Sequence, residues 1–217
     1  MPNRCLLCYI TDRAQFAGDE AAQRALLLTK IAESARCGVD FIQLREKDLG
    51  SRQLELLAIE AMQVIAANIT PEACTRLLIN SRTDVAMAVG ADGVHLRSDD
   101  VCCGVVRAIY EAKAMPICIG VSCHSAAEVA SAERQVASFA VFGPVFEKRH
   151  APSVQSTGLA ALRQACAFDI PVLALGGVTL SNARECLNAG AAGIAGIRIF
   201  QDNDVAEVVR RLRDQGF

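Results

Sequence analysis

The sequence predicts an α/β protein, a single (β/α)8 TIM barrel over residues 1–217. Two observations lead there. Short apolar runs alternate with longer amphipathic stretches about eight times, and the runs lack the polar alternation of a half-exposed strand. Strands and helices in this order build a parallel sheet with right-handed crossovers, and that many units in 217 residues suit a closed barrel. An open, doubly wound sheet is the alternative reading of the same pattern.

The strand-like runs are 4–10, 40–45, 76–80, 92–96, 117–121, 138–142, 171–175 and 192–197. Ile117-Cys118-Ile119-Gly120-Val121 and Pro171-Val172-Leu173-Ala174-Leu175 are almost wholly apolar, as strands covered on both faces are. Helices are predicted near 19–37, 51–68, 82–89, 101–113, 125–136, 158–167, 180–189 and 204–214. In 51–68, Leu54, Leu57, Ala58, Ala61, Val64 and Ile65 recur at three- and four-residue spacing, with Ser51, Arg52, Gln53 and Gln63 on the other side. Ser51, Ser125 and Ser181 are N-cap candidates, and Ser125 has Glu128 three residues later. Gly38 and Gly190 stand where helices end.

A hydrophobic fraction of 52% with 21% charged residues is enough for a large core and excludes a disordered chain. The net charge of −2 creates no general field for nucleic acid. No stretch approaches the roughly 18 apolar residues of a membrane span, and the first apolar run is too short for a secretory core. A soluble, cytoplasmic protein with neither a membrane nor a nucleic-acid partner is therefore expected. The oligomeric state is not fixed, and a homodimer is compatible with the sequence. Most of the ten cysteines with informative surroundings lie in apolar runs, as buried thiols in a reducing compartment do. Cys5-Leu6-Leu7-Cys8 has C-x-x-C spacing but lies within a strand-like run and has no second ligand pair, which argues against zinc or redox chemistry.

Active sites of such barrels form in the loops after the strands. After the second run come Gln43, Arg45 and Lys47, where an arginine grips phosphate bidentately and a lysine acts as a point charge. The third ends at Asn80-Ser81-Arg82, the fourth at His95-Leu96-Arg97-Ser98-Asp99-Asp100, and the fifth at Ser122-Cys123-His124. Asp99 and Asp100 offer oxygen ligands for Mg²⁺, or equally the acids of a helix first turn. The sixth leads into the longest loop candidate, where Lys148 and Arg149 are placed to close over a phosphate. After the seventh come Gly176 and Gly177, and after the eighth Ile197 and Arg198. A glycine pair lets backbone N–H groups approach a phosphate, and the loops after strands seven and eight are the recurrent phosphate site of these barrels. Each motif also has a bland reading: a solvated charge, a capping acid, a tight turn. Their convergence on one mouth points to an anionic small molecule with a divalent metal. His95, His124 and His150 match no ligand spacing for a metal triad.

Beyond this, the chain resembles the thiamine phosphate synthase family and its relatives, the thiazole tautomerases. The resemblance runs nearly end to end on Ile10-Thr11-Asp12, Gln43-Leu44-Arg45-Glu46-Lys47, Ala91-Asp92-Gly93-Val94-His95-Leu96, Ile119-Gly120-Val121-Ser122, Gly143-Pro144-Val145-Phe146 and Ala174-Leu175-Gly176-Gly177-Val178. It implies a transferase of thiamine biosynthesis, in which hydroxymethylpyrimidine diphosphate loses pyrophosphate, with Mg²⁺ on the leaving group, and is captured by a thiazole phosphate. It implies that Gln43, Arg45, Lys47 and Asn80 hold the pyrimidine diphosphate, and that Ser122 contacts the leaving pyrophosphate. Gly177, Ile197 and Arg198 then bind the thiazole phosphate, and Asp100 matches a metal ligand, with Asp99 beside it. Lys148 stands for the family lysine, and Gly176 and His124 complete the binding set.

The departures are specific. The family's second metal aspartate is Ser81 here, its Gly-Gln before the acidic pair is Arg97-Ser98, its small residue after strand eight is Arg198, and the tautomerase histidine is Pro144. A tautomerase-like isomerase and a non-catalytic binder of thiamine-related phosphates remain the alternatives.

Overall fold

The fold was derived from a computed structural model that describes residues 4–71, 73–147 and 155–214. Each of the eight apolar runs carries a strand, the fifth extending two residues beyond its run: β1 Leu6–Ile10, β2 Phe41–Leu44, β3 Arg76–Asn80, β4 Gly93–Leu96, β5 Cys118–Cys123, β6 Phe139–Phe142, β7 Val172–Ala174 and β8 Gly193–Gly196. All pair in parallel with their sequence neighbours. β8 returns to β1 through Leu6↔Gly193 to Tyr9↔Gly196, which closes the barrel and removes the open-sheet alternative.

The helices are α1 Glu20–Arg36, α2 Ser51–Asn68, α3 Thr83–Val89, α4 Cys103–Glu111, α5 Ala126–Arg134, α6 Gly158–Ala165, α7 Ala183–Asn188, α8 Arg198–Gln201 and α9 Val205–Arg213. The short α8 is not expected from the sequence, because one turn is too brief to show periodicity. Ser125 caps α5 by accepting the Glu128 N–H at 3.2 Å. Ser51 and Ser181 do not act as caps. α2 begins one residue after Gly50, whose N–H is taken by Gln53 Oε1 at 3.2 Å, and α7 begins after Asn182. Gly38 and Gly190 follow α1 and α7 at φ 75° and 101°, the left-handed geometry that ends helices.

Strand alternation sorts the core into two layers. Cys8, Ile10, Phe41, Leu78, Cys118, Phe139, Val141, Leu173 and Ala195 fill the barrel interior, with Phe41 and Phe139 stacked at 4.5 Å. Leu7, Tyr9, Ile42, Leu44, Leu77 and Ile79 point outward and pack against helices. The same alternation puts Cys5 in the outer layer and Cys8 in the inner one, so the C-x-x-C pair lies on opposite faces of the sheet. Burial pushes the Cys5 thiol up to about 12, which suits packing rather than metal or redox work.

At the opposite end from the strand C-termini, the buried Asp40 carboxylate accepts the Leu7 N–H at 2.8 Å and bonds the guanidinium groups of Arg4 and Arg213. This joins the beginning of the chain, β2 and α9 at one point.

Candidate active site at the strand ends

The C-terminal ends of the strands surround a cavity of about 1260 Å³. Gln43, Arg45, Lys47, Asn80, Asp99, Ser122, His124, Gly176, Gly177, Ile197 and Arg198 all line it. Asp100 lies beside it, in a smaller cleft that shares Arg97, Ser98 and Ser122 with the main cavity. Lys148 and Arg149 lie outside the described residues.

The ends of β1 and β2 build the seat for Arg45. The Thr11 hydroxyl donates to Glu46 Oε1 at 2.5 Å and accepts the Arg45 N–H at 2.9 Å. Arg13, nearly buried, bonds Glu46 Oε2 at 3.0 Å and Asp48 Oδ2 at 2.6 Å. Glu46 and Asp48 are thus committed to structure, which leaves Arg45 as a half-buried cation facing the cavity. Burial lowers the affinity of its guanidinium for the proton, and Asp12 and Glu46 partly offset this. An arginine nevertheless stays charged.

From Gln43 a directed chain of hydrogen bonds crosses to the next strand. Gln43 Nε2 donates to Asn80 Oδ1 at 2.7 Å, and Asn80 Nδ2 donates to Ser81 Oγ at 3.2 Å. Ser81 is strained, with φ 59°, at the centre of a three-residue turn in which the Arg82 N–H donates to the Asn80 carbonyl at 2.7 Å. At Asp100, burial raises the pKa, but Ser81 and Arg97 outweigh this and hold the carboxyl below its ordinary value. Gln43 Oε1 is buried and has no hydrogen-bond partner among the described residues, so it is an acceptor left over for a ligand donor.

Two histidines have different roles. His95 is buried and its Nε2 meets Ser122 Oγ at 2.9 Å. His124 holds the Gly143 carbonyl through Nδ1 at 2.6 Å, which fixes the proton on that nitrogen and leaves Nε2 as an acceptor.

On the far side, Gly176 and Gly177 have φ 91° and 66°. A Cβ on Gly177 would stand 2.7 Å from the Glu147 carbonyl oxygen and from Phe146 Cβ, so glycine is required by close packing as well as by backbone angle. Asn182 fixes the turn by donating to the Gly177 carbonyl at 3.0 Å. Arg198 begins α8 and its Nε bonds Gln15 Oε1 at 3.1 Å, which holds the side chain over the cavity rim.

The donor set does not fit a divalent metal. Mg²⁺ favours one or two carboxylates that have oxygens to give, joined by substrate phosphates. Here Asp100 accepts the Arg97 N–H at 2.7 Å and its guanidinium at 3.3 Å. Asp99 pairs with the same guanidinium at 3.4 Å. The two aspartates expected as ligands are the seat of an arginine.

Sequence reasoning singled out neither Thr11, Arg13 and Glu46 as one unit nor His95 as the partner of Ser122. The signal for the first was a run of alternating charges after two neighbouring strands. No helix among the described residues is long and apolar enough to cross a membrane.

The chain is similar to known proteins over most of its length. The family model described as thiamine monophosphate synthase matches residues 7–200. The thiamine-phosphate synthase of Caldanaerobacter subterraneus is 35% identical over 90% of this chain and 86% of its own length. That of Methanoculleus marisnigri is 35% identical over 91% of this chain and 92% of its own. The solved structure of thiamine phosphate pyrophosphorylase from Pyrococcus furiosus superposes with TM-score 0.78 and 30% identity, covering 98% of this chain and 95% of that one. The chain belongs to the thiamine monophosphate synthase family.

Proposed function

We propose that the protein is a transferase of thiamine biosynthesis that joins hydroxymethylpyrimidine diphosphate to thiazole phosphate and releases pyrophosphate. The observation that carries this reading is the lining of one cavity by two groups of residues suited to meet phosphates. On one side stand Arg45, Lys47, Asn80 and Ser122, and on the other Gly176, Gly177, Ile197 and Arg198. Two anionic substrates that must meet need two such cradles facing a shared space.

In this reading Gln43 recognises the pyrimidine, since its Oε1 is the leftover buried acceptor and its Nε2 is already committed to Asn80. Arg45, Lys47 and Asn80 neutralise and orient the diphosphate, and Ser122 donates to the oxygen on which charge grows as the C–O bond breaks. The backbone at Gly177 and Ile197 and the Arg198 guanidinium hold the thiazole phosphate, so that its ring nitrogen meets the methylene carbon. His124 offers Nε2 at the rim as an acceptor.

Thiamine-phosphate synthases are generally Mg²⁺-dependent. In this chain the acids of the site are paired with Arg97. The protein acts as a soluble cytoplasmic enzyme on small phosphorylated pyrimidine and thiazole substrates, with no membrane or nucleic-acid partner, and a homodimer is compatible with that role.

The test is an assay of the purified chain with both substrates, following pyrophosphate and thiamine phosphate together. Equal formation of the two products supports the transferase. Release of pyrophosphate without thiamine phosphate would make it a hydrolase of the diphosphate. Absence of both, in folded protein, would leave the non-catalytic binder.

A further inference from the structure

Arg97 stands where a diphosphate's charge must be met, and the acids around it bear on what meets that charge. β4 pairs with β5 through His95↔Gly120 and Leu96↔Val121, and Arg97 and Ser122 are the residues that follow this last pair. Both residues line the main cavity and the smaller cleft next to it. Asp99 and Asp100 are at the same place, and left alone they would repel a diphosphate. Arg97 sits on both. Its Nε and Nη2 lie 3.3 Å from Asp100 Oδ1, and Nε lies 3.4 Å from Asp99 Oδ1. These contacts leave the N–H groups of Nη1 as donors.

The two pairings differ in strength. The Arg97 side chain is 59% exposed and that of Asp99 is 72% exposed, so this contact contributes at most about 1 kcal/mol. Asp100 is only 13% exposed and holds the guanidinium in place, so Arg97 meets a further anion from its seat. A bidentate arginine–phosphate contact is such an anion's best partner.

We propose that Arg97, seated on Asp99 and Asp100, is the cation that binds the departing pyrophosphate, and that the site does so without a divalent metal. The proposal rests on the transferase reading given above and adds to it the identity of the leaving-group cation. In the group transfer, the bond between the pyrimidine's methylene carbon and the diphosphate oxygen breaks, and its electron pair leaves with pyrophosphate. The lone pair of the thiazole nitrogen forms the new C–N bond. No proton, oxidant or reductant is needed: the negative charge gathering on pyrophosphate is met by Arg97, Arg45 and Lys47, and the matching positive charge passes from the methylene carbon to the thiazolium nitrogen of the product.

The test is a calorimetric titration of inorganic pyrophosphate into the full chain, in EDTA and then in Mg²⁺, for the wild type and Arg97→Gln. The wild type should bind pyrophosphate in EDTA, and Mg²⁺ should not tighten that binding. Arg97→Gln should weaken binding in EDTA by about tenfold or more, with its melting temperature unchanged because the side chain is exposed. Pyrophosphate binding that requires Mg²⁺ in the wild type, or equal affinity in the variant, would overturn the proposal. The turnover assay separates the two readings. Turnover that persists in EDTA supports both, and turnover that requires Mg²⁺ keeps the transferase and removes the arginine from the metal's place. Pyrophosphate bound through Arg97 with no turnover keeps the arginine site and removes the transferase.

Discussion

The imidazole Nε2 of His95 lies 2.9 Å from the hydroxyl oxygen of Ser122, between neighbouring strands at the floor of the cavity. The ring is wholly buried, 6.2 Å from Phe139 between centroids, and its Nδ1 has no hydrogen-bond partner among the described residues. Burial pulls the imidazole down to about 4. Asp100 opposes the fall and Arg45 adds to it. His95 is therefore neutral wherever the protein works. When its Nε2 carries the proton, it donates to Ser122 and frees the serine's own proton for a ligand oxygen.

This linkage predicts an acid-dependent loss of stability. An unfolded histidine takes up a proton near pH 6.5, whereas the folded His95 resists until about pH 4. Between those values the unfolded state binds more protons, so stability falls as the pH drops from 6.5 to 4 and is unaffected by this group above that window. The contribution is on the order of 3 kcal/mol. Urea unfolding at pH 7 and pH 5 should show a larger loss in the wild type than in His95→Gln. Equal losses would assign the acid sensitivity to other groups.

Arg45→Ala should lower kcat/KM about a hundredfold or more and leave the melting temperature close to that of the wild type. The side chain's role is to face the cavity, while its backbone N–H, which bonds Thr11, is kept in the variant. Steady-state kinetics with each substrate varied in turn measures the effect. Unchanged kinetics would remove Arg45 from the site.

Gly177→Ala should cost about 1–3 kcal/mol of stability, because the new methyl meets the Glu147 carbonyl and Phe146 at 2.7 Å in a backbone conformation that alanine resists. It should also raise KM for thiazole phosphate more than for the pyrimidine diphosphate, since the cradle it distorts lies on that side. A variant that melts and binds like the wild type would show that the close approach is dispensable.

Ser81→Asp should be accepted by the backbone, because aspartate tolerates the left-handed conformation at φ 59° better than serine does. It places a new carboxylate next to Asp100, but with Arg97 in place the gain in Mg²⁺ affinity should be small. Combined with Arg97→Gln, the gain should exceed the sum of the single changes, as expected for residues that share a partner. Titration of Mg²⁺ into the four proteins of this cycle gives the answer, and strict additivity would mean that Arg97 does not control the acids.

The barrel was legible in the sequence because parallel strands covered on both faces are written as apolar runs, of which 171–175 is the plainest. Helix starts were less so. Ser51 has the chemistry of a cap, yet the chain turns one residue earlier, at Gly50, where Gln53 supplies the bond instead. The candidate site was legible as a set of strand-end residues, since the fold gathers them at one mouth. Which of them bond to which was not. The contact of Gln43 with Asn80 spans 37 residues and depends on strand register, and the folding back of Arg97 onto Asp99 and Asp100 depends on a loop with no periodic signal.

Asp40 has a practical consequence for rebuilding this chain. Residues 4 and 213 grip the same carboxylate, on the side of the barrel away from the mouth. A short peptide bridging that neighbourhood, with a new opening cut in a surface loop, would give a circularly permuted protein whose eight strands keep their registers.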